Sequence, residues 1–396
     1  MKVIHVIPSV APVRGGPSYA VLAMVKALRL QGINAEIATT NDNSAELLDV
    51  PLYKRCEYEQ VPVWFLPRFS PPMKEFIFSA ALTRWLWQHM RDYDILHTHY
   101  IFSYPSTCAA VIARYQGIPY IVRTIGQLTP WALAQSQQKK QIYSCLIERH
   151  NLNRAAAIHC TSTGEAEDVR QFGIPTPTIN LPLGVNPAID LLASKQEIRR
   201  VFNISAEIPI VLFLSRLHYK KRPDILLHAC SQLAAHNYNF HLILAGSGEP
   251  DYLTYLNSLV VSLNLTSRIS MANFVIGQDK ERLLQGSDIF VLPSFSENFG
   301  VAVAEAMSYG LPVIVTPGVQ IAPEIAAANA GLVIEGEVEA LSNAIAQLLT
   351  SPNLRRQLGE NGKRLATRRY SWNAIAGNLI DAYTAIIQKQ PLPNWD

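Results

Sequence analysis

The feature that most limits what this chain can fold into is a rhythm that occurs twice. Short apolar runs rich in β-branched residues (KVIHVIPS, INAEIATT, DILHTHY, PYIVRTI, AAIHCTST) alternate with helix-length segments such as GGPSYAVLAMVKALRLQG, which should end at Gly32. Strands separated in this way lie parallel and are covered by their crossover helices. Near residue 208 the rhythm restarts: IPIVLFLSRL, FHLILAGSG, RISMANFV, DIFVLPS and PVIVT read as strands, with KRPDILLHACSQLAAH, DYLTYLNSLVVSLNL, KERLLQGS and VAVAEAMSYG as helices between them. The helix GEAEDVRQF has a cap in Ser162 or Thr163. LPLGVNPAID, rich in Pro and Gly, reads as the linker, and WNAIAGNLIDAYTAIIQ as a last helix. The chain is therefore expected to be α/β, with two doubly wound, Rossmann-like domains over residues 1–185 and 186–371. Sheets of that kind bind ligands at the carboxyl ends of their strands.

Composition removes several classes. With 396 residues, 49% hydrophobic and 16% charged, the chain can build two cores and is neither disordered nor fibrous. A net charge of +3 gives no argument for nucleic acid. Residues 1–185 carry 17 Lys and Arg against 13 Asp and Glu. That small excess suits a polyanionic ligand or an anionic membrane, and equally an ordinary solvated face. Five scattered cysteines without a C-x-x-C pair argue for reduced thiols in the cytoplasm, against a disulfide framework and against a zinc site. No apolar run is long enough to span a bilayer, and the first residues lack a secretory signal pattern.

Chemistry concentrates in the second half. In SENFGVAVAEAM, Glu297 and Glu305 flank a Phe299–Gly300 step that should open a helix directly after a strand. Free N–H groups at a helix start hold anions, and Gly300 admits a phosphate close to the backbone. Glu305 would lie about 7.5 Å along the helix from Gly300, near the ribose of a diphosphate bound at that start. Glu297 would face what the diphosphate carries. The plainer alternative is a capping carboxylate followed by a surface one. LSRLHYKKRPD places Arg216 and Lys221 after the domain's first strand, where a diphosphate needs positive charge; a solvated basic loop is the alternative. LAGSGEPD supplies Gly246 and Gly248 but lacks the third glycine of a dinucleotide fingerprint.

Taken together these residues resemble the retaining glycosyltransferases of the GT-B fold, family 4, over nearly the whole chain. The likeness rests on Glu297 and Glu305 with the Phe-Gly step, on Arg216 and Lys221, on Gly15 and Gly16, and on the H-T-H ending at His99. TPGVQIAPEI and LTPWALAQSQQKK look like members acting in bacterial surface-polysaccharide assembly. The resemblance implies two Rossmann-like domains facing a cleft, with the helix over 372–390 crossing back to the first. It implies that Arg216 and Lys221 neutralise the diphosphate of a nucleotide-sugar donor and that Glu305 binds its ribose. Glu297 and the backbone of Asn298, Phe299, Gly300 and Val301 would hold sugar and phosphates, Gly16 would close on the diphosphate, and His99 would touch the sugar. Phe274 and Val275 would lie by the base, with Gly15 and Gly246 in the donor site. Asn273 stands where a glycine is frequent, a departure that bears on base preference.

No covalent nucleophile with a paired base is evident, and the resemblance implies front-face retaining transfer to a glycan or lipid-linked acceptor, without metal or other cofactor. His97 and His99 share one side of their strand, either as packed core or facing the cleft, and no further metal ligand is evident for them. Asp92-Tyr93-Asp94 matches a metal-binding D-x-D but sits before a strand, where it reads as incidental. Trp131, Leu133, Ile142 and Leu146 with Lys139, Lys140, Arg149 and Arg154 make a stretch able to rest on an anionic membrane, or an ordinary amphipathic helix. Competing classes are a nucleotide-sugar epimerase of this fold and a non-catalytic nucleotide-sugar-binding partner.

Overall fold

A computed structural model describes residues 1–70, 76–134, 143, 147–189, 191 and 194–395. The chain divides into two compact units, Met1–Gly184 with Trp372–Asp396, and Val185–Ser371.

The strands of the first unit are β1 (Lys2–Ser9), β2 (Asn34–Thr40), β3 (Asp42–Asn43), β4 (Glu46–Leu47), β5 (Arg55–Tyr58), β6 (Val61–Leu66), β7 (Ile95–His99), β8 (Tyr120–Arg123), β9 (Ala157–Cys160) and β10 (Thr178–Asn180). Eight of them form one sheet in the order β10-β9-β8-β7-β1-β2-β6-β5, and β3 and β4 pair separately. All neighbours in the large sheet are parallel except β5 and β6. Its two faces carry separate cores. On one, Leu82, Trp85 and Leu86 of the Ala80–His89 helix and Ala109, Ile112 and Ala113 of the Tyr104–Gln116 helix meet the sheet. On the other, Val21, Val25 and Leu28 of the Gly16–Leu30 helix join Ile375, Leu379 and Tyr383 of the Trp372–Ile387 helix. The last helix thus belongs to the first unit, as the resemblance implies.

In the second unit β11 (Ile210–Leu214), β12 (His241–Ala245), β13 (Ile269–Ala272), β14 (Ile289–Leu292), β15 (Val313–Val315) and β16 (Gly331–Val333) form a six-stranded sheet in the order β13-β12-β11-β14-β15-β16. Every pair is parallel. IVLFL and HLILA are buried at every position, as strands covered by helices on both faces must be. Ser162, rather than Thr163, caps its helix, its hydroxyl accepting from the Glu165 N–H at 3.1 Å. Among the described residues no helix is long and apolar enough to cross a membrane.

Candidate active site

Strand order marks a candidate site in the second unit. The chain leaves β11 toward β12 and β13 on one side, and β14 begins the other side. The connections after β11 and β14 therefore lead to opposite sides of the sheet, and that switch point at the carboxyl edge is where doubly wound sheets bind ligands. Arg216 and Lys221 lie on the first loop, Glu297 and Gly300 on the second.

These two loops are sewn together by backbone bonds. The Phe295 N–H donates to the Lys220 carbonyl at 2.9 Å and the Ser294 hydroxyl to the same oxygen at 3.0 Å. Lys221 ends a short 3-10 turn, Tyr219–Lys221, and is buried; its ammonium pairs with Glu297 Oε1. The Glu297 backbone is itself fixed, its N–H donating to Gly318 O (2.8 Å) and its carbonyl accepting from Gln320 N (3.1 Å). Gly318 is required there, because a Cβ would stand 2.3 Å from Phe295 O. Arg216 is exposed and has no hydrogen bond or ion pair with the described residues. Burial and then the Lys221 charge push the Lys220 pKa down, and His218 is lowered by burial and by the Arg216, Lys221 and Lys220 charges. Three cations whose charges press on one loop are a ready counter-charge for an anion.

Gly300 precedes the Val301–Ser308 helix with φ 83°, and no side chain caps that helix. The Gly300 carbonyl accepts from Val303 N at 2.9 Å and Ala304 N at 3.2 Å, so the N–H groups of Val301 and Ala302 are the ones this helix start offers. Phe299 is buried with its ring edge-on to Tyr370 at 5.3 Å, while Asn298 is half-buried and Val301 exposed. Glu305, one turn further on, accepts from Lys280 Nζ at 2.6 Å. Phe274, 66% exposed, and Val275 follow β13 at the same sheet edge.

Gly246 has a packing role that the sequence did not show. Its φ is +148°, and a Cβ would stand 1.9 Å from the Ser215 carbonyl oxygen; at Gly248 a Cβ would stand 2.3 Å from Leu217 O. Leu217 N donates to Ser247 O at 2.8 Å, so both glycines let the loop after β12 lie against the Arg216 loop. Their absence of side chains is explained by packing, with no ligand needed.

In the first unit, Gly15 has φ 73° and opens the Gly16–Leu30 helix; beside Gly16 a Cβ would meet nothing within 4 Å. Neither backbone nor packing requires glycine at 16. Arg14 anchors this turn, its guanidinium donating to Asp42 Oδ2 at 2.6 and 2.9 Å. Asp42 also pairs with Arg68 at 3.0 Å.

His99 departs from expectation. Its ring is fully buried, with Nε2 3.0 Å from His5 Nδ1 and the ring stacked on those of His5 and His97. As the ring stands it cannot touch a sugar, so the packed-core alternative describes it. His97 bonds the Tyr383 hydroxyl of the last helix at 2.7 Å and His159 at 3.3 Å. Burial and the neighbouring Arg123 charge push His5 and His159 down to about 3. Burial likewise lowers His97 and His99, with the other histidines and Arg123 adding to the effect. The sequence offered His97 and His99 with no third ligand; the structure adds His5, one ring nitrogen from each of the three lying within 4.8 Å of the others. That trio sits beside the buried Arg123 guanidinium, an unfavourable neighbour for a cation.

Asp94 accepts from the Lys2 N–H at 2.7 Å, at the amino edge of the sheet, and Tyr93 is buried with its hydroxyl on Glu36. The D-x-D is a structural junction on the edge away from ligands.

Comparison with known proteins gives the family. The family described as "Glycosyl transferases group 1" matches residues 194–365, and "Glycosyl transferase 4-like domain" matches residues 15–184. The chain is a group 1 glycosyltransferase. The D-inositol 3-phosphate glycosyltransferase of Xylanimonas cellulosilytica is 24% identical to this transferase over 95% of the chain and 93% of that protein. A second protein of that name from Catenulispora acidiphila is 26% identical over 94% and 91%. Among solved structures, HepE of Anabaena in complex with UDP superposes with a TM-score of 0.78 at 19% identity, covering 97% of this chain and all of that one. Sucrose-phosphate synthase of Thermosynechococcus elongatus superposes at 0.74 with 21% identity, covering 98% of this chain and 100% of the other. These are GT-B enzymes, and the transferase has their fold, with two Rossmann-like domains.

Sequence reasoning did not foresee two partners of the candidate residues in this transferase, Lys280 beside Glu305 and His5 beside His99. Lys280 lies in KERLLQ, which signals a helix and nothing more. His5 interrupts an apolar strand, a visible oddity, but its place opposite His97 depends on strand register.

Proposed function

We propose that this glycosyltransferase moves a sugar from a nucleoside-diphosphate sugar to a glycan or lipid-linked acceptor with retention at the anomeric carbon, by a metal-independent front-face mechanism, in polysaccharide biosynthesis. The observation that carries the reading is the junction of the two loops at the switch point. There Arg216 is exposed and unpaired among the described residues, Lys221 is paired with Glu297, and a helix start without a side-chain cap lies between Glu297 and Glu305. A diphosphate arriving there takes N–H groups from the helix start and charge from Arg216, and draws Lys221 away from Glu297. Glu297, released, faces the sugar as positive charge develops on its anomeric carbon. The leaving phosphate accepts the acceptor's proton, so the protein's part is positioning and electrostatic stabilisation of the leaving group.

Incubation with UDP-, GDP- and ADP-sugars and an acceptor panel that includes inositol 3-phosphate, read by NMR of the product, tests this. The product should keep the donor's anomeric configuration, and EDTA should leave the rate unchanged. An inverted product, or activity abolished by EDTA and restored by Mn²⁺, would contradict the mechanism.

A peripheral contact with anionic membrane on the cytoplasmic side is part of the same reading. Trp131 (47% exposed), Arg149 and Arg154 belong to the described part of that stretch, and Leu133 packs on the core. Lys139, Lys140, Ile142 and Leu146 lie outside the described residues. The protein should co-sediment with anionic liposomes at low salt and not with neutral ones; equal recovery with both would remove the proposal.

A further inference from the structure

Lys280 has no part in the reading so far, yet it makes the side-chain hydrogen bond that holds Glu305. Its Nζ lies 2.6 Å from Glu305 Oε1, and the two residues come from different helices, Gly277–Gly286 and Val301–Ser308. Both side chains are partly shielded, with relative exposures of 31% for Lys280 and 22% for Glu305. The first of these helices begins directly after the loop that carries Phe274 and Val275. A glutamate has three rotatable side-chain bonds, and binding must freeze them unless the protein has already done so. An ammonium on one carboxylate oxygen fixes that orientation and leaves the second oxygen open. Lysine has three N–H donors, so others stay available at the same place.

We propose that Lys280 is a positioning residue for the donor's ribose: it presents the Glu305 carboxylate to the two ribose hydroxyls of a nucleoside diphosphate. This rests on the reading of the second unit as the donor site. The pair acts as one recognition element, in which the carboxylate accepts from the diol and the lysine sets the angle at which it does so. Its contribution is made equally to bound donor and transition state, so loss of Lys280 weakens binding and spares the chemical step.

The test uses the full-length protein and a panel of UDP, GDP and ADP with their 2′,3′-dideoxy counterparts, titrated calorimetrically, together with steady-state kinetics. Lys280→Met should raise the Kd of the binding nucleotide and the donor KM about tenfold, the size of one hydrogen bond to a charged group. Turnover should stay within about twofold of the parent. Lys280→Arg should restore most of the affinity. Removing the hydroxyls separates this role from a merely structural one: the dideoxy nucleotide should bind the parent and Lys280→Met equally. Combining Lys280→Met with Glu305→Ala should cost no more than Glu305→Ala alone. Unchanged affinity in Lys280→Met, or the same loss for the ribo and dideoxy ligands, would overturn the inference while leaving the donor site standing. Failure of every diphosphate to bind the parent protein would overturn both.

Discussion

Replacing Arg216 or Lys221 with alanine is expected to lower kcat by roughly 10²–10³, the cost of removing one preorganised charge from a leaving group. The two variants should differ in a second way. Arg216 is exposed and without a partner among the described residues, so its removal leaves no group stranded and stability should not change. Lys221 is buried and paired with Glu297, so Lys221→Ala leaves a partly shielded carboxylate without its cation and should also lower the melting temperature. kcat is read from steady-state transfer at saturating donor, and single-turnover transfer with enzyme in excess shows whether the loss lies in the chemical step. Near-parental turnover in both would sink the assignment of these residues to the leaving group.

The second large effect concerns stability in acid. His5 and His159 titrate at about 3 in the folded protein, against about 6.5 in an unfolded chain. A histidine lowered by folding is neutral in both states above 6.5 and costs nothing there. Below 6.5 the unfolded chain takes protons that the folded one refuses, so stability falls with pH until the folded value is reached. By pH 5 the loss is about 2 kcal/mol for each of the two. His97 and His99, also lowered, act in the same direction. Glu148 opposes them. Its buried carboxyl is pushed up to about 7 by desolvation, only partly offset by the Phe102 N–H and the Thr107 hydroxyl. It therefore binds a proton on folding between that value and the ordinary one, returning about 2 kcal/mol by pH 5. The balance is a net loss of at least about 2 kcal/mol between pH 7.5 and 5. Urea unfolding at the two pH values measures it, and Glu148→Gln should steepen the fall. Stability that is flat or that rises toward pH 5 would show that the histidine cluster is not held neutral.

Much of this could be read in advance, and the reasons differ by residue. IPIVLFL and FHLILAG declare buried parallel strands because both faces must be apolar, and the loops after them follow by position. Arg216, Lys221, Glu297 and Gly300 were legible because each stands directly after such a strand or opens a helix. Strand order was not legible, and with it went the facts that depend on neighbours. His5 comes beside His99 through the pairing of β1 with β7, which no local pattern specifies. The burial of His99 followed from that same pairing, so a residue expected on the sugar turned out to pack in the core. At Gly246 a glycine after a strand serves ligand approach and backbone packing equally well; the 1.9 Å that a Cβ would leave to Ser215 O supplies the packing reason. Lys280 reaches Glu305 from another helix, a meeting that spacing within either helix cannot forecast.

The central claim is that Glu297 and Glu305 bracket a nucleoside diphosphate held on the helix start at Gly300. Calorimetric titration with UDP, GDP and ADP, using Glu305→Ala as the control, tests it most directly. Binding of one diphosphate by the parent protein, lost in Glu305→Ala, is the expected result and names the donor's base. Binding of none, or binding that Glu305→Ala leaves intact, would contradict the claim.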